Sequence, residues 1–196
     1  MAEINAKINY GNLKKLVEEM TKNYTVKVGL LAEKNGNEEV SPNLDMAGLG
    51  AVHEFGATIK VTDKMRAYFR YAYGINLKKS TKEINIPARS WLQMPITRNN
   101  GADLRKLIKE KADLTKNDIE LAQEFISEYG ESGILKDLAL AVGVSAKEQI
   151  DKAFESEGFG EWQPNSPLTI KNKGSSMPLI DKGRLRKTIT FDIEEK

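Results

Sequence analysis

The chain has 196 residues, 40% hydrophobic and 30% charged, with a net charge of +2. That length allows one domain with a buried core, and the small net charge excludes the broadly basic surface of a strong nucleic-acid binder. Disulfide staples and thiolate metal sites are excluded because there is no cysteine.

In chain order, Leu13, Leu16, Val17 and Met20 fall on one face of a predicted helix that Asn9 or Asn12 would cap. A strand is expected over 24–31, where Val26, Val28 and Leu30 alternate with Lys27 and Gly29, followed by a loop over 33–43 that turns at Asn35-Gly36-Asn37. Met46, Leu49, Val52 and Phe55 predict the inner face of a short helix ended by Gly56. A β segment follows at 58–61, then a helix capped by Thr62-Asp63, bearing Met65, Tyr68, Phe69, Ala72 and Tyr73 and ended by Gly74. Residues 78–82 read as a polar hairpin tip, and 83–86 returns as a strand bounded by Pro87. The stretch 60–86 thus reads as an inserted helix–hairpin excursion outside the central sheet.

From Asn100 the pattern is helical. Leu104, Leu107 and Ile108 form one stripe; Thr115 to Asp118 resembles a capping box, and Ile119, Ala122, Phe125 and Ile126 share a face that ends at Gly130 and Gly133. The longest predicted helix covers 134–156, with Leu135, Leu138, Val142, Ala146, Gln149, Ile150 and Phe154 inward and Gly143 as its one interruption. Trp162 opens a loop in which Pro164 and Pro167 stop any helix, and 162–177 is expected to be mobile. Asp181 is placed to cap a turn through Arg184, Leu185 and Arg186, and Ile189, Phe191 and Ile193 alternate as a closing strand. The expected fold is a single α+β domain over 1–196. A small, mainly antiparallel sheet combines the strands near 25–31, 57–61, 83–87 and 188–194, helices pack on one face, and the 134–156 helix is central.

The chemistry-bearing residues argue for binding rather than catalysis. His53 is the sole histidine; His53-Glu54 begins a zinc-protease pattern, but the fifth position is Ala57, and catalytic zinc needs three protein ligands. A serine nucleophile would also depend on His53, and G-x-S-x-G is absent, as are the glycine-rich phosphate loops. The carboxylates Glu38, Glu39, Asp151, Glu155 and Glu157 read as solvated surface, with Lys147 and Lys152 near Asp151 and Glu155. His53 and Glu54 are expected to fix a helix end, with Glu54 pairing to Arg89. No catalytic, metal-binding or cofactor-binding residue is expected, and no apolar run reaches the ~18 residues that cross a bilayer.

Two surfaces stand out. Lys171, Lys173, Lys182, Arg184, Arg186 and Lys187 cluster near Trp162. Basic residues beside an aromatic suit nucleic acid, but a single aromatic and the intruding Asp181 and Asp192 favour a mobile surface loop and a cationic turn paired with its neighbours, of which a subunit contact is the most interesting form. Tyr68, Phe69, Tyr71 and Tyr73 cannot share one helix face, since adjacent residues diverge by ~100°. Phe69 and Tyr73 suit a core, and Tyr68 or Tyr71 an interface.

Two blocks carry a family resemblance. Ala51-Val52-His53-Glu54-Phe55-Gly56-Ala57 is followed by Ile86-Pro87-Ala88-Arg89-Ser90-Trp91-Leu92, and 162–189 holds W-x-P-x-S, then P-L-I-D-x-G-R-L-R-x-T-I. In this order they resemble the virion-morphogenesis, or tail-completion, family of tailed bacteriophages; 94–157 carries no matching motif. The resemblance implies a structural, non-enzymatic protein that completes tails or joins head to tail as a homo-oligomeric ring at the neck or tail end. Its implied partners are tail and head-connector proteins, with no membrane, and its implied location is the host cytoplasm and then the virion. His53, Glu54, Gly56, Pro87, Arg89, Asp181, Gly183 and Leu185 fall on the family pattern. Trp162, Lys171, Lys173, Arg184, Arg186, Tyr68 and Tyr71 are the candidate interface residues. The alternative is a nucleic-acid-binding protein that uses the basic C-terminal turn.

Overall fold

A computed structural model describes residues 23–113 and 134–196; the helices expected over 13–20 and 115–126 lie outside the described residues. The chain runs through β1 (Tyr24–Gly29), a π turn (Ala32–Gly36), β2 (Glu39–Ser41), β3 (Leu44–Asp45) and α1 (Met46–Phe55). An excursion follows, built of β4 (Ala57–Lys60), α2 (Asp63–Tyr73) and β5 (Glu83–Ile86). Then come α3 (Gln93–Thr97), a 3-10 turn (Arg98–Gly101), α4 (Ala102–Asp113), α5 (Ile134–Glu155), α6 (Pro167–Lys173), α7 (Arg184–Thr188) and β6 (Thr190–Glu195).

The class is α+β, as expected, but the strands do not join one sheet. They form three antiparallel pairs, β1–β6, β2–β3 and β4–β5. β1 and β6 run in unbroken register from Tyr24 opposite Glu195 to Gly29 opposite Thr190. The β4–β5 pair has no fully buried residue on either strand, so no apolar face draws it onto the first pair. β1 stops two residues short of the expected end because Gly29 turns with φ +138° beside the Leu92 side chain.

The central helix α5 packs across β1 and β6 and against α4. Gly143 does not interrupt it. An added Cβ there would lie 2.3 Å from the Phe191 ring, so the missing side chain is the notch into which β6 settles. Beyond the notch, Ala146, Gln149, Ile150, Ala153 and Phe154 are buried; Leu138, expected inward, is exposed. The core lies at the C-terminal half of α5, where Ile150, Ala153 and Phe154 meet Met46, Trp91, Trp162, Leu185 and Ile189. Phe154 stands between the two tryptophans, with ring centroids 6.3 Å from Trp91 and 5.5 Å from Trp162. Each such side chain contributes about 1.5–3 kcal/mol on burial.

Two further expectations are corrected. Phe55 is 74% exposed, and its neighbour Glu54 occupies the interior instead. The segment expected as a mobile loop contains α6, whose Ser166 cap accepts the N–H of Thr169 at 3.2 Å and whose left-handed Gly174 donates its N–H to Ile170 O at 2.8 Å. Pro167 sits in the first turn, where its missing N–H costs nothing. Among the described residues, no helix is long and apolar enough to cross a membrane.

Candidate functional site

The two sequence blocks meet at the C-terminal end of α1. Glu54 is buried, and its carboxylate collects four donors: Ser90 Oγ at 2.6 Å and the backbone N–H groups of Trp91, Leu92 and Gln93 at 2.7, 2.8 and 3.0 Å. These are the otherwise unpaired donors entering α3, so a negative charge sits where a helix start favours one. Ser90 Oγ in turn accepts the N–H of Met94 at 2.9 Å. The expected Glu54–Arg89 ion pair does not form, because the backbone amides already saturate the carboxylate.

Arg89, itself buried, crosses to the second block. Its Nε donates to Gln163 O at 2.7 Å and its Nη2 to Pro164 O at 3.1 Å. Its own N–H binds His53 O at 2.8 Å. Trp162 Nε1 donates to Ser90 O at 3.1 Å, and Trp91 Nε1 to Gly50 O at 2.8 Å. Two glycines make room. A Cβ on Gly56, at φ +74°, would meet Ile86 O at 2.8 Å, and a Cβ on Gly158, at φ +69°, would sit 2.3 Å from the Trp162 ring. The spacing of the motif therefore encodes a clasp: a capping carboxylate, a glycine at a close crossing, and an arginine that binds the carbonyls of the loop after α5. Pro87 ends β5 just before the clasp.

The His53 ring lies beside this clasp, and its Nδ1 is buried without a partner among the described residues. Burial, with like-charge repulsion from Arg89 and Lys173, holds the imidazole below its ordinary value of 6.5. Lys173 is half-buried, donates to Met177 O, and is likewise lowered by burial.

The second block closes through a strained turn. Pro178 is fully buried, Leu179 has φ +58°, and Ile180 N–H returns to Pro178 O at 2.7 Å. A non-glycine residue held there costs about 1–3 kcal/mol. Asp181 is exposed and caps nothing; Gly183 takes the N-cap position of α7 with φ 73°, and Lys187 N–H bonds its carbonyl at 3.0 Å. Leu185 is buried as expected.

Both arginines of this turn are used within the chain. Arg184 Nη2 reaches Glu38 Oε1 at 2.6 Å. Arg186 reaches Asp151 Oδ1 at 2.8 Å and Glu155 Oε1 at 2.6 Å, so these carboxylates are not idle surface. Partial burial pushes the Asp151 carboxyl up, but hydrogen bonds from Lys147 and Arg186 outweigh it and hold Asp151 below its ordinary value. Trp162, a candidate for an interface, is instead core. Of the C-terminal candidates, Lys171 on the last turn of α6 stays exposed.

The excursion differs from the rest of the fold. No residue of α2 is buried. Its hold is internal: Arg66 donates to the carbonyls of Leu77, Lys78 and Thr81 at 3.2, 2.6 and 2.6 Å. Tyr71 is 94% exposed and Tyr68 56%; Tyr73, expected in a core, is 39% exposed. The residues that sequence reading missed are Gly50, Ser90, Glu38 and the two loop carbonyls that Arg89 binds. Only Ser90 carried a signal, as a polar residue between a block's arginine and tryptophan. Comparisons with protein families, with curated proteins and with solved structures found no match.

Proposed function

We propose that this chain is a structural virion-assembly protein of a tailed phage or prophage, acting in tail completion or head–tail joining as one subunit of a ring at the neck or tail end. The observation that supports this most is the clasp. The two blocks on which the family resemblance rests are far apart in sequence, yet Arg89 of the first binds carbonyls in the second, and Trp162 of the second binds Ser90 of the first. Glu54, Gly56, Arg89 and Trp162, which fit the family pattern, are among the residues that fasten this fold.

The role is binding work and asks for no cofactor. The protein is made in the host cytoplasm and ends in the particle, against tail and connector proteins. Arg184 and Arg186 are already paired to carboxylates, which removes two of the turn's cations from phosphate binding and disfavours the nucleic-acid alternative there. Complementation tests the reading: a phage deleted for the corresponding gene should regain infectious particles when this chain is supplied, and lose them again with Arg89→Ala. Full tails joined to heads in the absence of the chain contradict it.

A further inference from the structure

Three basic side chains converge on the clasp from three elements. Arg89, before α3, is 6% exposed, and its guanidinium meets only the carbonyls of Gln163 and Pro164. Lys173 reaches in from the last turn of α6 and donates to Met177 O, which also accepts Asn165 Nδ2 at 3.1 Å. Asn165 follows directly on Pro164, so the two cations hold neighbouring points of one loop. His53, near the end of α1, is tied to Arg89 by the 2.8 Å backbone bond, and its Nδ1 is buried without a partner among the described residues. Arg89 repels both of the others, and Lys173 repels His53.

Among the described residues no carboxylate pairs with this cluster. Arg89 and Lys173 bond only carbonyl oxygens. Glu54, beside His53 in sequence, is saturated by Ser90 Oγ and three backbone N–H groups. Glu157 and Asp181 are near enough to draw Lys173 upward, but neither bonds it, and burial outweighs both. A buried cation is costly unless paired, and three of them together add mutual repulsion. One anion among them offsets both costs, and the Nδ1 of a protonated ring is a donor that an anion suits.

We propose that His53, Arg89 and Lys173 together form a binding site for an oxyanion. Two sources carry that chemistry, a free tetrahedral ion of the phosphate or sulfate type and the carboxylate of an acidic side chain on a protein partner. His53 and Lys173 are both half-buried, so the cluster is reached from solvent. Lys173 exchanges a neutral carbonyl for an ionised oxygen, which gives a stronger bond. Arg89 keeps its two carbonyls and contributes its charge, so the clasp stays fastened when the anion binds.

The test is NMR on the full chain, whose single histidine gives an isolated imidazole resonance. Sodium sulfate and sodium acetate are each titrated at about pH 6.5, the ordinary value of an imidazole, against sodium chloride at equal ionic strength to remove general screening. Melting is not the readout, because sulfate stabilises proteins by exclusion from their surfaces. At least one of the two should saturate the His53 and Lys173 signals at about 1–10 mM, and the tighter one separates a tetrahedral ion from a carboxylate. Saturating sulfate should also raise the His53 midpoint; a rise of about half a pH unit corresponds to about threefold tighter binding by the imidazolium. Lys173→Met should weaken binding about tenfold, Lys173→Arg should retain it, and Lys171→Met, exposed on the same turn of α6, should leave it unchanged. The wild-type titrations decide by themselves should Lys173→Met fold poorly. A shift that chloride reproduces, a titration that never saturates, or equal losses from Lys171→Met and Lys173→Met overturns the proposal and leaves these cations as braces for loop carbonyls alone.

Discussion

The Glu54 carboxylate accepts the backbone N–H of Trp91 at 2.7 Å, 37 residues away in sequence. This bond and its three companions fix where α3 starts and hence where the Trp91 ring enters the interior. Glu54→Gln replaces one acceptor oxygen with a donor that faces other donors. It should destabilise the fold by about 3 kcal/mol, the range for leaving buried partners of a charged group unsatisfied. The denaturation midpoint measures this, and a loss below about 1 kcal/mol would mean that solvent replaces the carboxylate.

Gly143→Ala puts a methyl group against the Phe191 ring, and overpacking of this kind costs about 1–3 kcal/mol. Phe191→Leu in the same chain should recover part of the loss, so the double mutant is more stable than the sum of the two single changes predicts. Strict additivity in thermal melts would show that α5 and β6 slide apart freely. Leu185→Ala, at the buried end of α7, should cost about 2–5 kcal/mol by the same measurement.

His53 offers a clean titration because the chain has no other histidine. Its folded value lies below 6.5, so the stability it contributes is complete above about pH 6.5 and declines as pH falls through the folded value. The imidazole proton resonance should titrate with a midpoint under 6.5. Lys173→Met should move that midpoint upward by removing a neighbouring positive charge. A midpoint at or above 6.5 in wild type contradicts the burial of the ring.

Asp151 gives the matching acid-side test. Its folded value is below 3.8, so its contribution is present above that pH and is lost as pH falls through the folded value. Arg186→Met should therefore lower the stability at pH 7 by no more than about 1 kcal/mol for a partly solvated pair, and the difference from wild type should fade well below pH 3.8. A difference that persists in acid would assign the effect to packing of the arginine stem.

Native-state amide exchange separates α6 from the loop that its composition suggests. Ile170 and Gly174 donate N–H bonds to Ser166 O and Ile170 O, and both should exchange more slowly than Ser176, which lies beyond the helix, under the same conditions. Ser166→Ala should erase that protection, as loss of an N-cap costs about 1 kcal/mol. Uniformly fast exchange from 165 to 176 would restore the loop.

What the sequence makes legible follows from what each signal measures. Alternation in Val26, Val28, Phe191 and Ile193 locates two strands, and capping chemistry at Thr62 and Gly74 bounds α2, because these are local properties. Gly143 and Pro167 mislead for the same reason. Each is read as a breaker by its own backbone preference, while its actual place is decided by the Phe191 ring in one case and by the first turn of a helix in the other. The clasp residues are recognisable as a pattern, but their partners are not. Backbone carbonyls such as those of Gln163 and Pro164 leave no mark in composition, and a glutamate that binds amides looks the same in sequence as one that binds arginine. Trp162 and Arg186 show the limit for interface reading: exposed-looking loop chemistry can be turned inward by a partner far along the chain.

The pairing of β1 with β6 also sets an order of events during synthesis. Lys27 bonds Glu194 diagonally across this pair, 167 positions further along the chain. While the ribosome is still making the chain, Val26 and Val28 have no strand to pair with, and the notch at Gly143 has no ring to fill it. The central layer closes only after the segment carrying Phe191 and Ile193 has emerged, so a nascent chain stalled before Thr190 holds an open strand edge. Such edges are where chains join one another wrongly, and it is the β6 segment that removes this one.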